Sequence, residues 1–187
     1  PSEMDDRNFP CCTGWIDDVE VGIMRCGIGK VNAAVGTTLL IRTFKPDCLI
    51  NTGVAGGFTR EVEVGDVVIS SEVKHYDADA TPFSYEYGQI PQMPPSFKAD
   101  IWLVNLAMRA CSETRLGRAH QGSILSGDTF IHTPEQVADI SLKFPDAIAV
   151  EMEGAAVAQT GYLFGIPFTL IRSISDNVHR ENSTDTY

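Results

Sequence analysis

The sequence predicts one α/β domain with a mainly parallel sheet in three layers. Short apolar runs of strand length alternate with helical patterns along most of the chain, as in folds built from βα units. Several of those runs empty into glycine-containing turns, the arrangement in which open α/β sheets line their ligand crevices. With 187 residues and 43% hydrophobic content, the chain can bury one core of ordinary size.

Residues 1–12 read as a flexible lead-in, being polar and without periodicity, and the domain is expected to occupy 13–187. From Thr13 the pattern becomes that of a β-hairpin, with Trp15 and Ile16, a turn at Asp17-Asp18, and Val19 to Met24 as the return strand. Cys26-Gly27-Ile28-Gly29-Lys30 follows at once and opens a helix running to about Phe44. Its glycines suit either a tight turn or a backbone approach to a ligand, and the pattern is neither a P-loop nor a full dinucleotide fingerprint.

Pro46 to Thr52 is a buried strand whose exit, Gly53-Val54-Ala55-Gly56-Gly57, can line a cavity with main chain. Val67 to Ser70 is the next strand. Lys74 to Pro95 is different in kind: it holds three of the five tyrosines and several prolines without helical periodicity. Such an excursion suits a stacking wall for a flat heterocycle or an interface segment.

Ala99 to Glu113 has the apolar spacing of an amphipathic helix, and Gln121 to Leu125 is a strand ending in Ser126-Gly127-Asp128-Thr129-Phe130-Ile131. Thr133-Pro134-Glu135-Gln136 carries a helix-start signature of N-cap, Pro at N1 and an acid in the first turn.

Ala147 to Val150 then reads as a strand delivering Glu151 and Glu153 before an Ala-rich helix that stops at Gly165. If the strand continues through Glu153, the two acids share a face and need hydrogen-bond donors, which the hydroxyls of a ribose would supply. If they form the first turn of the helix instead, negative charge is favourable there without any ligand. Phe168 to Ile174 is the last strand, and its end, Ser175-Asp176-Asn177, places another acid behind an apolar run.

A net charge of −11 argues against a nucleic-acid partner, because such proteins concentrate positive charge on one face. No apolar run reaches the roughly 18 residues of a membrane span, and no basic-then-apolar leader is visible, so a cytoplasmic location is expected. The five cysteines are odd in number and lack metal-ligand spacing, which predicts reduced thiols and no metal site.

Taken in order, Gly27 to Ala34, Asn51 to Gly57, Asp77-Ala78-Asp79 with Phe83 to Gln89, Ser126 to Ile131, Val150 to Glu153 and Arg172 to Asp176 resemble the bacterial 5′-methylthioadenosine/S-adenosylhomocysteine nucleosidases of the nucleoside phosphorylase superfamily. The resemblance runs from about Gly22 to Asp176. It implies a three-layer α/β/α nucleoside phosphorylase-like fold around a central mixed, mainly parallel sheet. It also implies hydrolysis of the N-glycosidic bond of 5′-methylthioadenosine, S-adenosylhomocysteine and 5′-deoxyadenosine, with no metal, phosphate or cofactor.

By the same resemblance, Asp176 is the acid at purine N7, assisted by Ser175. Glu153 binds ribose hydroxyls, Met152 packs on the sugar and Glu151 lies nearby. Main chain at Phe130 and Ile131 reads the adenine edge, and the Phe130 ring stacks on it. Ile28, Val54, Ala55, Gly56 and Arg172 complete the substrate site. The family is homodimeric, which makes Ala80, Phe83, Tyr85 and Pro91 the expected contribution to the partner's site.

Two departures stand out. Nothing before Gly22 matches the family's first strand, whose glutamate activates water, and the chain ends soon after the Asp176 loop. The domain is therefore expected to be incomplete at both ends, with an unpaired strand edge in the sheet and slow hydrolysis by this chain alone. Val54 also stands where the family commonly has serine. A phosphorylase of the same fold would need cations for phosphate, for which Lys30 and Arg172 are the nearest candidates. A futalosine-type nucleosidase would share the fold, and a non-catalytic nucleoside-binding or dimerisation module would also fit a chain without the water-activating glutamate.

Overall fold

The structure is a computed structural model that describes residues 3–4, 8–114 and 117–179. Its elements in chain order are β1 (Glu3–Met4), β2 (Cys11–Ile16), β3 (Val19–Met24), α1 (Lys30–Phe44), β4 (Leu49–Gly57), β5 (Val67–His75), β6 (Phe97–Lys98), α2 (Ile101–Thr114), β7 (Ala119–Ser126), α3 (Pro134–Lys143), β8 (Ala147–Glu151), α4 (Gly154–Phe164) and β9 (Phe168–Asn177).

The expected hairpin forms as β2 and β3, with Ile16 opposite Val19 across the Asp17-Asp18 turn. Part of the stretch expected to be a lead-in is structured: β1 pairs with β2 at Glu3 and Met4, and β2 begins at Cys11. Residues 1–2 and 5–7 of that stretch lie outside the described residues.

The main sheet is mixed, with strands in the order β6-β5-β7-β8-β4-β9, and β5 also pairs with β9. Five strands therefore close on themselves, with β6 outside the ring. The pairs β5–β7, β7–β8 and β4–β9 are parallel, whereas β5–β6, β4–β8 and β5–β9 are antiparallel. Closure turns on an irregularity of register between Ser70 and Glu72. Before it, Val67 to Ile69 pair with β9; after it, Glu72 and Val73 pair with β6. A bulge bends a strand and increases its twist, and here it changes the neighbour on that edge of β5.

Val68, Ile124, Ala149, Leu170 and Ile174 form the core together with Ala155 and Ala158 of α4. On its other side α4 meets α1, where Ala33 packs against Ala156 and Val157. A helix covered on both sides must be small and apolar all round, which accounts for the Ala-rich sequence after Glu153. Gly154 has no room for a side chain, because a Cβ there would collide with Leu170. The helix stops at Gly165, whose φ of 70° is the left-handed conformation glycine adopts without penalty.

The helix start expected at Thr133 forms as a capping box. Thr133 Oγ1 accepts from Gln136 N at 3.2 Å while Gln136 Oε1 accepts from Thr133 N at 3.1 Å. Along β4, only Gly56 and Gly57 pair with β8 on the edge opposite β9. Among the described residues no other partner pairs along that edge, and Ile50 and Val54 on the same strand are 56% and 52% exposed.

Candidate active site

Residues from the ends of β4, β5, β7, β8 and β9, with the turn before α1, surround one cavity of about 320 Å³. Its lining contains Ile28, Val54, Ala55, Gly56, Phe130, Ile131, Glu151, Met152, Glu153 and Asp176, all named from the sequence. Tyr76, Thr129, Val150 and Val178 complete it; Thr129 and Val150 lie within motifs read from the sequence, but the sequence assigns none of the four a role. The walls are apolar, and the titratable side chains among them are three carboxylates and one phenol.

The end of β9 is built around an irregularity. Against β4, Ile174 stands opposite Ala55 and Asp176 opposite Gly56, so Ser175 has no counterpart. A bulge re-aims side chains, and here two consecutive residues work together: Ser175 Oγ donates to Asp176 Oδ1 at 2.8 Å. A Cβ on Gly56 would lie 3.3 Å from Asp176 Oδ2, so glycine in β4 lets this carboxyl seat closely against the strand.

The two glutamates differ from the shared-face expectation. The strand β8 ends at Glu151, and Glu153 is already the N-cap residue of α4. Glu151 is saturated from within the chain. Its oxygens accept from Gly154 N at 2.8 and 2.9 Å, from Glu153 N at 3.1 Å, from Ser126 Oγ, and from Arg172 Nη2 at 2.8 Å. The free N–H groups at the start of α4 draw this carboxylate inward, which leaves it as wall and support instead of the sugar ligand the shared-face reading suggested.

Arg172 is the counter-charge behind that wall and does not line the cavity. Its guanidinium donates to Asn51 O at 3.0 Å and to the Asn51 side-chain oxygen as well as to Glu151. Glu153 is held differently: Oε1 accepts from Gly29 N at 2.7 Å, in the glycine turn before α1. Burial raises its pKa above the usual carboxylate range, and the nearby Glu151 charge adds to this, against the opposing pull of the Gly29 N–H and Arg172.

The same turn is fastened a second time, where Lys30 N donates to Asp128 Oδ1 at 2.9 Å. The Lys30 ammonium forms an ion pair with Asp77 at 2.7 Å, and Asp77 Oδ2 also accepts from Asp128 N at 2.9 Å. Lys30 and Arg172, the two cations considered for phosphate, are thus both committed to carboxylates.

Elsewhere in the lining, Tyr76 donates its hydroxyl to Thr129 O, and its ring fills the space above Gly127. Burial pushes the phenol well above its ordinary pKa, so the group remains a neutral donor. The Phe130 ring stacks with His132 at a centroid distance of 6.4 Å, and His132 Nδ1 lies 3.0 Å from Phe130 O. Tyr76 belongs to the stretch that reads as an irregular excursion; β5 runs on to His75, beyond the Val67 to Ser70 read from the sequence, and so delivers Tyr76 at the strand end.

The expected partner-facing residues lie outside the cavity lining. Phe83 is 78% exposed, Pro91 is exposed and Tyr85 is half-buried, whereas Ala80 is 7% exposed and packs within its own chain. Ala80 precedes a short 3-10 turn, Thr81–Phe83, whose Phe83 N bonds back to Ala80 O at 2.9 Å; that turn directs Phe83 outward while keeping Ala80 beneath it.

The profile of the phosphorylase superfamily matches residues 2–187. A 5′-methylthioadenosine/S-adenosylhomocysteine nucleosidase from Maridesulfovibrio salexigens is 62% identical over 179 residues, which are 96% of this chain and 78% of the relative. The nucleosidase of Neisseria meningitidis, solved in complex with methylthio-immucillin-A, superposes with a TM-score of 0.92 at 43% identity, covering 98% of this chain and 80% of that one. That of Colwellia psychrerythraea, solved with adenine, has a TM-score of 0.92 at 40% identity and covers 100% and 78%.

Proposed function

Because this chain belongs to the phosphorylase superfamily and, within it, to the 5′-methylthioadenosine/S-adenosylhomocysteine nucleosidases, we propose that its cavity hydrolyses the bond between adenine N9 and ribose C1′ of those two nucleosides. The observation that carries this reading is the presence of two differently held carboxylates in one apolar cavity, Asp176 beside a hydroxyl and Glu153 on a backbone N–H.

Asp176 is the general acid. With Ser175 donating to Oδ1, the acid proton has Oδ2 as its seat, ready for purine N7. As the C1′–N9 bond breaks, its electron pair passes to the purine, and the proton at N7 lets the base leave as neutral adenine. The sugar becomes oxocarbenium-like, water adds at C1′ and sheds a proton to solvent, from which Asp176 regains its own. Glu153 takes the ribose hydroxyls and places negative charge near the developing cation. Met152 packs on the sugar, and Phe130 with the Ile131 main chain receives the base. Glu151 and Arg172 support Glu153 from behind.

Hydrolysis is favoured over phosphorolysis by the commitment of Lys30 to Asp77 and of Arg172 to Glu151. Adenine release from 5′-methylthioadenosine in phosphate-free buffer tests the reading. Release that requires phosphate and yields a sugar 1-phosphate would overturn it.

The exposed Phe83 and Pro91 suit a homodimer in which this loop reaches the second subunit's site. The five cysteines are free thiols, which suits a reducing, cytoplasmic compartment. No helix among the described residues is long and apolar enough to cross a membrane.

A further inference from the structure

The bulge that brings Ser175 and Asp176 together also interrupts the β4–β9 ladder next to the acid. The ladder resumes at once, with Asp176 opposite Gly56, Asn177 opposite Gly57 and Val178 N donating to Gly57 O at 3.0 Å. The irregularity nevertheless leaves Ser175 unmatched just where a general acid must be placed within a fraction of an ångström. The structure supplies a clamp on each side of the irregularity. Before it, Ile174 is held by the segment leading into β5, with Ile174 N donating to Asp66 O and Gly65 N donating to Ile174 O, both at 2.9 Å.

After it, a side chain adds to the backbone pairing with β4. Asn177 is 5% exposed, and its amide nitrogen donates to Thr59 O and to Val62 O, each at 2.8 Å. Its side-chain oxygen accepts from His179 N at 3.0 Å. All of these partners are backbone groups, so the amide ties the residue after the acid to the loop that follows β4 and to its own onward chain. The fit is close: a Cβ on Gly57 would come 3.0 Å from the Asn177 amide nitrogen.

We infer that Asn177 is a positioning residue for the proton transfer, holding the Asp176 carboxyl in place through the backbone that joins them. The inference rests on the reading of Asp176 as the acid. Leucine at this position keeps the branched outline of the side chain and removes all three side-chain bonds. The acid then gains freedom to swing while the ribose and base contacts, which come from other strands, stay in place.

Asn177→Leu, made in the full chain, is expected to lower kcat for adenine release by about tenfold or more, since small misplacements of reacting groups carry such costs, with KM changed by less than about threefold. In an Asp176→Asn background the same substitution is expected to cost nothing further in single-turnover experiments. An unchanged kcat, a loss confined to KM, or a loss that persists undiminished in the Asp176→Asn background would each overturn the inference. Full turnover by Asp176→Asn alone would overturn the assignment of the acid, which separates the two failures. Thermal unfolding reports whether each variant folds; if Asn177→Leu does not, Asn177→Ser, which puts a hydroxyl donor in place of the amide, is expected to fold with an intermediate kcat. Failure of both to fold would make the amide a requirement of the domain and overturn a positioning role.

Discussion

Arg172 Nη2 and Glu151 Oε2 meet at 2.8 Å, with each side chain 2% exposed, Glu151 in the wall of the cavity and Arg172 behind it. Neither group can be removed alone without leaving the other charged in a dry setting. Arg172→Met or Glu151→Gln is therefore expected to cost about 3–5 kcal/mol of stability, as when one partner of a buried ion pair is lost. Urea unfolding of the two single variants and the double variant measures this. The double variant should be less destabilised than the sum of the singles, and strict additivity would mean that the pair is not coupled.

Asp176→Asn keeps the size of the side chain and the acceptor for Ser175 Oγ but has no acid proton to give. Turnover is expected to fall by about 10²–10⁴-fold, the usual contribution of general-acid catalysis. Calorimetric binding of 5′-methylthioadenosine to the same variant should survive. Undiminished adenine release would remove Asp176 from the role.

Local signals are well preserved in the sequence. Thr133 and Gln136 stand three apart and form their capping box; Gly165 ends its helix; Val19 to Met24 return along Cys11 to Ile16. These depend on near neighbours. What stays hidden depends on distant ones. Two acids are visible in Val150-Glu151-Met152-Glu153, but not that Arg172 and Ser126 close on the first of them. The pairing of β5 with β9 that closes the sheet, and the unpaired Ser175 beside the acid, likewise arise from registers between remote strands. Ala80 reads like its exposed neighbour Phe83, and only the turn between them separates their fates.

Tyr76 illustrates the same point from the side of binding. Its hydroxyl fixes Thr129 O, next to Phe130 and Ile131 in the cavity lining. Tyr76→Phe removes that bond and leaves a buried carbonyl without this donor, at a cost of about 1–3 kcal/mol to the local structure. The expected outcome is a raised KM for 5′-methylthioadenosine with kcat little changed. A fall in kcat at constant KM would instead place Tyr76 in the chemical step.

Glu153 provides the pH test. Burial, reinforced by the Glu151 charge, raises its carboxyl pKa above the ordinary 4.5. As pH rises through 4.5 the unfolded chain loses this proton first, while the folded chain still holds it. The unfolded state is thereby favoured, and stability declines until the pH passes the folded pKa, after which it is level. Glu153→Gln removes this titration while its amide oxygen can still accept from Gly29 N. The variant should therefore unfold at a higher temperature than the parent at neutral pH, and the two should converge in acid. Its affinity for the nucleoside should fall by about tenfold or more, because hydrogen bonds to a charged acceptor are replaced by bonds to a neutral one. A variant that binds as tightly as the parent would mean that the ribose hydroxyls are held by another group.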